Sequence, residues 1–217
     1  MSAKKINFKS KAELWFPTVI WESELDEVSR EIINSEVYEY LKPYLENKKL
    51  SQTNIVISET DMHEDKKTKN LNYFLHRVVF EYLKFFNLEH YDFYISGCWA
   101  NVSRTNFAHY NHSHQNNFIS GVYYVQTTKD KSDKIHFNDP REQNKVLLPK
   151  PSQQTRLNST GALCTASPGI AYLFPSWLRH EVPVNQANEE RISVAFNAMF
   201  KDFKKMTPPG FKTSQLD

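Results

Sequence analysis

From Tyr91 to Phe200 the chain is a succession of short β-type runs, and no stretch of helical periodicity long enough to form a crossover interrupts them. This feature constrains the fold more than any other. The runs cover 91–102, 118–126, 134–137, 170–174 and 192–200, with turn formers between them such as Asn138-Asp139-Pro140 and Ser167-Pro168-Gly169. Parallel strands need crossovers of roughly a dozen residues or more, usually helical, so a parallel βαβ sheet is excluded. An antiparallel sandwich or jelly roll is expected.

The first third of the chain reads differently. Residues 12–21 (AELWFPTVIW) are apolar and β-branched, and Pro17 within them suggests an edge strand or a bulge. Residues 24–45 are charged and amphipathic up to Pro43, which predicts one or two helices. The clearest helix spans 70–86, where Leu71, Phe74, Leu75, Val78, Val79, Tyr82, Leu83 and Phe86 form one apolar stripe. Its natural place is over a sheet. Residues 141–160 are polar with two prolines and read as a long loop that could lie over a site, and 201–217 reads as a fraying tail. At 217 residues the expectation is one domain over 1–217 with its core at about 90–200: a mainly β jelly roll buttressed by N-terminal helices.

Composition excludes several classes of partner. The 27 basic and 25 acidic residues nearly cancel, and no block collects positive charge, so nucleic acid is not expected. No apolar run approaches the roughly 18 residues needed to cross a bilayer, so no membrane role is expected. The Met-Ser-Ala-Lys-Lys start lacks an apolar signal core, and Cys98 and Cys164 are then expected as thiols in a reducing cytoplasm. Oligomerisation is left open.

Three of the eight histidines, His109, His112 and His114, fall within six positions. In an extended segment residues two apart point the same way, so His112 and His114 can aim both rings at one point, as a metal requires. A pair of exposed or structural histidines fits the same spacing. A third ligand must come from elsewhere, and His180 follows a strand and a Pro turn (LFPSWLRHEV) at a strand end. The alternative for His180 is a partly buried hairpin histidine.

Residues 191–197 (RISVAFN) alternate strictly, with Arg191, Ser193, Ala195 and Asn197 on one face. An inward arginine needs an anion, and a planar guanidinium matches a carboxylate through two parallel hydrogen bonds. Ser193, one pleat further, could donate another. The alternative is a salt bridge to an acidic side chain such as Glu189 or Glu190.

Taken in order, His112-Ser113-His114, then SGVYY at 120–124, NDPR at 138–141, FPSWLRH at 174–180 and RISVAFN at 191–197 resemble one family. It is the 2-oxoglutarate- and Fe(II)-dependent oxygenases found in marine bacteria and their phages. The resemblance runs from about Trp99 to Phe200 and implies a double-stranded β-helix. It also implies Fe(II) bound by His112, His114 and His180, and 2-oxoglutarate held at its distal carboxylate by Arg191 and Ser193. In the wider superfamily the middle ligand is an Asp or Glu. Here it is His114, and water completing a two-histidine site is the alternative.

Asn101, Tyr123 and Tyr124 flank the proximal motif and could bond the co-substrate; core packing is the alternative for both tyrosines. Asp139 and Arg141 either line the entrance or form a capped turn. The implied reaction is hydroxylation of a small-molecule or peptide substrate with release of succinate and CO2. Two other readings fit the residues: a cupin-like three-histidine dioxygenase using no keto acid, and a non-catalytic jelly-roll binding module.

Overall fold

The computed structural model describes residues 9–128, 133–141 and 146–206. Helix α1 (Glu27–Leu45) begins where the Asp26 carboxylate accepts the Ser29 amide at 2.8 Å, satisfying one of the donors a helix start leaves free. Pro43 falls in its last turn, where a missing amide ends the helix without splitting it, so 24–45 holds a single helix. Helix α2 (Lys69–Phe85) is capped from α1: the Glu36 carboxylate accepts the amides of Asn70 at 3.0 Å and Leu71 at 3.1 Å. An acidic group there also complements the positive end of the helix dipole. The predicted stripe is the buried face, with Leu71, Leu75, Val78, Val79, Tyr82 and Leu83 in the core.

The strands are β1 (Trp21–Glu24), β2 (Ile55–Ile57), β3 (Phe93–Ser103), β4 (His109–His112), β5 (Ile119–Gln126), β6 (Lys134–Asn138), β7 (Gly161–Thr165), β8 (Ile170–Pro175), β9 (His180–Val182) and β10 (Arg191–Phe200). They form a six-stranded sheet in the order β1-β8-β5-β10-β3-β2 and a four-stranded sheet in the order β4-β9-β6-β7. Every pairing between these strands is antiparallel. Strands β3 to β10 pass back and forth between the two sheets as a double-stranded β-helix, with the consecutive β6 and β7 paired in the smaller one, and β1 and β2 widen the larger one.

Register decides which side chains share a face. Val194 lies opposite Ala100 and Tyr123, and Tyr123 opposite Ala171; this row faces the helices and joins their core. Ser193, one residue away, lies opposite Asn101 and Tyr124, and that row faces the space between the sheets. There Tyr124, Tyr172 and Phe174 pack with Ile135, Phe137 and Leu178 in a second apolar cluster. The cysteines are free thiols, Cys98 in the helix-side core and Cys164 against the inter-sheet cluster.

Several expectations need correction. The chain at 12–20 is not a strand: Leu14, Trp15 and Phe16 are exposed, Phe16 takes φ 59°, and pairing begins only at Trp21. The short strands β2 and β7 have no counterpart in the sequence reading. Residues 142–145 of the expected loop and 207–217 of the expected tail lie outside the described residues. No helix among the described residues is long and apolar enough to cross a membrane.

Gly121 shows how closely the helix face is packed. It lies opposite Phe196, and a methyl at that position would overlap the Phe196 ring. Gly121→Ala is expected to destabilise the protein by about 1–3 kcal/mol in urea denaturation. Gly97→Ala, where the nearest neighbour would be 3.7 Å away, is the matched control and is expected to be near neutral.

Candidate metal centre

Strands β4 and β9 bring two histidines together because His112 pairs directly with His180, their ring centroids 4.3 Å apart. The chain then leaves β4, and the His114 amide donates to the Ser176 carbonyl at 2.9 Å, anchoring the third histidine to the turn before β9. His114 stands 5.1 Å from His112 and 5.2 Å from His180 by ring centroids. One nitrogen from each ring lies within 4.8 Å of the others.

The orientation of these rings suits metal binding. Nδ1 of His180 is 2.9 Å from the Leu178 carbonyl, and Nδ1 of His112 is 2.6 Å from the Tyr110 carbonyl. A carbonyl only accepts, so both Nδ1 atoms donate and both Nε2 atoms keep their lone pairs for the shared centre. Burial, with the neighbouring His112 imidazole, pushes His114 down to about 4. Burial outweighs the Leu178 hydrogen bond at His180 and takes it to about 4 as well. Neutral imidazole is the ligand form, so the donor set fits a first-row divalent ion. Phe174 (4.6 Å) and Phe137 (6.0 Å) pack against His180, and Trp99 lies 6.2 Å from His114. These rings wall the cluster with apolar surface.

Arg191 enters from the far end of the same inner face, its side chain buried on β10 with Nη2 donating to the Pro183 carbonyl at 3.2 Å. Trp99, beside His114, lies opposite Ala195, so about four residues of strand, roughly 13 Å, separate the arginine's backbone from the histidine end. Among the described residues, an acidic side chain beside Arg191 is Asp133, at 3.9 Å, whereas Glu190 pairs with Arg104 at 2.8 Å. Ser193 and Asn101 are cross-strand partners on this face, and the buried Asn101 Oδ1 has no hydrogen-bond partner among the described residues.

The two tyrosines divide between the faces. Tyr123, expected at the co-substrate, lies on the helix side, where its hydroxyl donates to Asn34 at 2.7 Å and its ring packs on Phe74. Its neighbour Tyr124 occupies the inner face: its buried hydroxyl has no partner among the described residues, and it lies within electrostatic reach of Arg191. Burial raises the Tyr124 pKa, so it stands there as a neutral donor. His109 is outside the three-histidine group but close to His112 (6.5 Å) and within electrostatic reach of Arg191; burial is the main cause that brings it down to about 4. Asp139 and Arg141 form the capped turn, with the Arg141 amide and guanidinium both donating to the carboxylate.

Asp133 is the inner-face group at Arg191 that the sequence does not point to, whereas Tyr124 is named there beside Tyr123 without a choice between the two faces. Alternation along β10 identifies which of its own residues point inward. It does not reveal which residues of β5 and β6 face them.

Residues 97–197 match the family model described as "Putative 2OG-Fe(II) oxygenase". A search of curated proteins gives no significant match. Among solved structures, the chain is similar to a prolyl hydroxylase from Trichoplax adhaerens in complex with a hypoxia inducible factor peptide fragment. That likeness has TM-score 0.57 and 11% identity over 87% of each chain. It is also similar to the α-ketoglutarate-dependent epimerase SnoN of nogalamycin biosynthesis, with TM-score 0.58 and 9% identity over 84% of this chain and 78% of that one. HygX from Streptomyces hygroscopicus, with nickel and 2-oxoglutarate bound, gives TM-score 0.54 and 10% identity over 84% and 82%. At such identities the likeness is one of fold.

Proposed function

We propose that this chain is a 2OG-Fe(II) oxygenase, the family whose model matches residues 97–197, and that it is a hydroxylase acting on a small molecule or a peptide side chain. His112, His114 and His180 hold Fe(II), and Arg191, Ser193 and Tyr124 hold the distal carboxylate of 2-oxoglutarate. One observation carries this reading: the three-histidine cluster and the buried Arg191 occupy opposite ends of one inner face. The roughly 13 Å of β10 between them suits an arginine side chain followed by a five-carbon diacid.

When bound, Fe(II) with 2-oxoglutarate and dioxygen supplies an oxidant that removes hydrogen from a C–H bond, releasing succinate and CO2. The protein contributes binding, orientation and exclusion of water. The carbonyls of Leu178 and Tyr110 keep His180 and His112 in the ligating tautomer. Phe137, Phe174 and Trp99 shield the centre from solvent. Arg191 supplies charge at the distal end, and Tyr124 supplies an O–H donor that meets no acceptor in the protein itself among the described residues. Three neutral imidazoles leave a doubly charged ion uncompensated, and dianionic 2-oxoglutarate brings that sum to zero. A dioxygenase using the three histidines alone would leave the buried Tyr124 hydroxyl with no acceptor among the described residues.

Anaerobic reconstitution tests the reading. One Fe(II) per chain is expected, and adding 2-oxoglutarate is expected to produce the visible metal-to-keto-acid charge-transfer band, with succinate formed on admitting dioxygen. An iron-loaded protein that develops no band overturns it. Tyr124→Phe removes a hydrogen bond to a charged group, worth about 1.5–3 kcal/mol, so 2-oxoglutarate affinity is expected to fall roughly tenfold or more with little change in melting temperature. Tyr123→Phe, on the other face, is expected to leave that affinity unchanged.

A further inference from the structure

Arg191 is not the only buried charged side chain at the distal end of the pocket. Asp133 immediately precedes β6, and its carbonyl accepts the Ala166 amide at 2.8 Å, which fixes the backbone at that edge of the smaller sheet. Its side chain is 4% exposed and that of Arg191 is 3% exposed, with Oδ1 and Nη1 3.9 Å apart. Oδ2 accepts the Thr128 hydroxyl at 2.9 Å, whereas Oδ1 has no hydrogen-bond partner among the described residues. At 3.9 Å the two groups attract without a hydrogen bond. Tyr124, Asp133 and Arg191 are thus all buried and within electrostatic reach of one another.

An arginine anchors a ligand carboxylate through its positive charge and its fork of donors. Here a carboxylate of the protein already opposes it. We propose that Asp133 is a specificity-determining residue of the co-substrate pocket, lowering its preference for a dicarboxylic 2-oxo acid over a 2-oxo acid of the same length with an uncharged tail. The inference rests on the reading of Arg191 as the carboxylate anchor.

Two consequences follow from charge alone. With Asp133 present, Arg191 is buried with a counter-ion before any ligand arrives, which avoids the large penalty of an unpaired buried cation. A ligand carboxylate entering beside Arg191 then meets a second anion at close range in a poorly screened site. An uncharged tail meets no such opposition. Asp133 therefore weakens the binding of the diacid selectively and keeps the empty pocket stable.

The test compares 2-oxoglutarate with 2-oxopentanoate, the same five-carbon chain ending in a methyl group, on iron-loaded protein without dioxygen. Both acids chelate iron through the same keto and carboxylate oxygens, so the charge-transfer band reports each affinity. Asp133→Asn keeps an oxygen to accept from Thr128 and removes the charge; it is expected to raise the preference for 2-oxoglutarate at least about tenfold. Asp133→Ser repeats the measurement with a second uncharged acceptor should the amide disturb folding. A merely structural role would lower the melting temperature and leave the ratio of affinities where it was. Variants that bind iron and both acids with a ratio within about twofold of the parent overturn the inference and leave the oxygenase reading intact. No band with either acid on the iron-loaded parent overturns both.

Discussion

His180→Ala is expected to abolish stoichiometric iron binding while leaving a folded protein. Its ring is the most buried of the three, held at Nδ1 by the Leu178 carbonyl and packed between the edge-on Phe174 ring and the facing histidines. Structural four-ligand zinc sites are worth about 10–16 kcal/mol, so one of three ligands accounts for roughly 3 kcal/mol or more, a loss of at least about a hundredfold in affinity. The variant also opens a cavity beside Phe137 and Phe174, expected to lower stability by a few kcal/mol. Metal content measured alongside thermal melting of the metal-free protein separates the two effects. Full iron content in the variant would make His180 structural and remove the three-histidine site. His114→Ala is expected to weaken iron binding about as much as His112→Ala, and His114→Asp to restore it in the commoner two-histidine, one-carboxylate form. If His114→Ala keeps near-normal iron, water is the third ligand.

Arg191→Ala is expected to weaken 2-oxoglutarate binding by well over tenfold while iron binding persists. Truncating one side of a buried charged contact costs roughly 2–5 kcal/mol, because the remaining anion is left unpaired. Two anions are affected here, the ligand carboxylate and Asp133, so the variant is also expected to melt at a lower temperature before any ligand is added. Arg191→Lys preserves the charge and restores binding only in part, since an ammonium cannot reproduce the guanidinium fork. Titration of the charge-transfer band on iron-loaded protein measures both variants. Unchanged affinity in Arg191→Ala would sink the assignment of the distal anchor.

Much of the architecture was legible in the linear sequence, because local periodicity reports directly on burial. The stripe from Leu71 to Leu83 marked α2, and the alternation from Arg191 to Asn197 marked both faces of β10. The absence of helix-length segments between the later strands pointed to an antiparallel jelly roll, the fold the structure has. The spacing of two between His112 and His114 was readable because side-chain direction along an extended chain depends on the parity of position alone.

Local periodicity therefore settles which residues of one strand or helix share a face. Which residues of different elements meet was decided only by the tertiary structure. Adjacent tyrosines at 123 and 124 must point to opposite sides, but the pairing of Ser193 with Tyr124 and of Val194 with Tyr123 decides which one faces the lumen. Asp133 and Arg191 are far apart in the chain, and nothing local distinguishes Asp133 from Glu190 as the arginine's neighbour; the approach of the start of β6 to β10 makes that choice. The short strands β2 and β7 were missed for the same reason. Three to five residues carry too little pattern of their own, and they become strands because β3 and β6 offer unpaired backbone groups beside them. Side-chain direction follows from local stereochemistry, whereas register follows from the hydrogen bonds and burial of the whole chain at once.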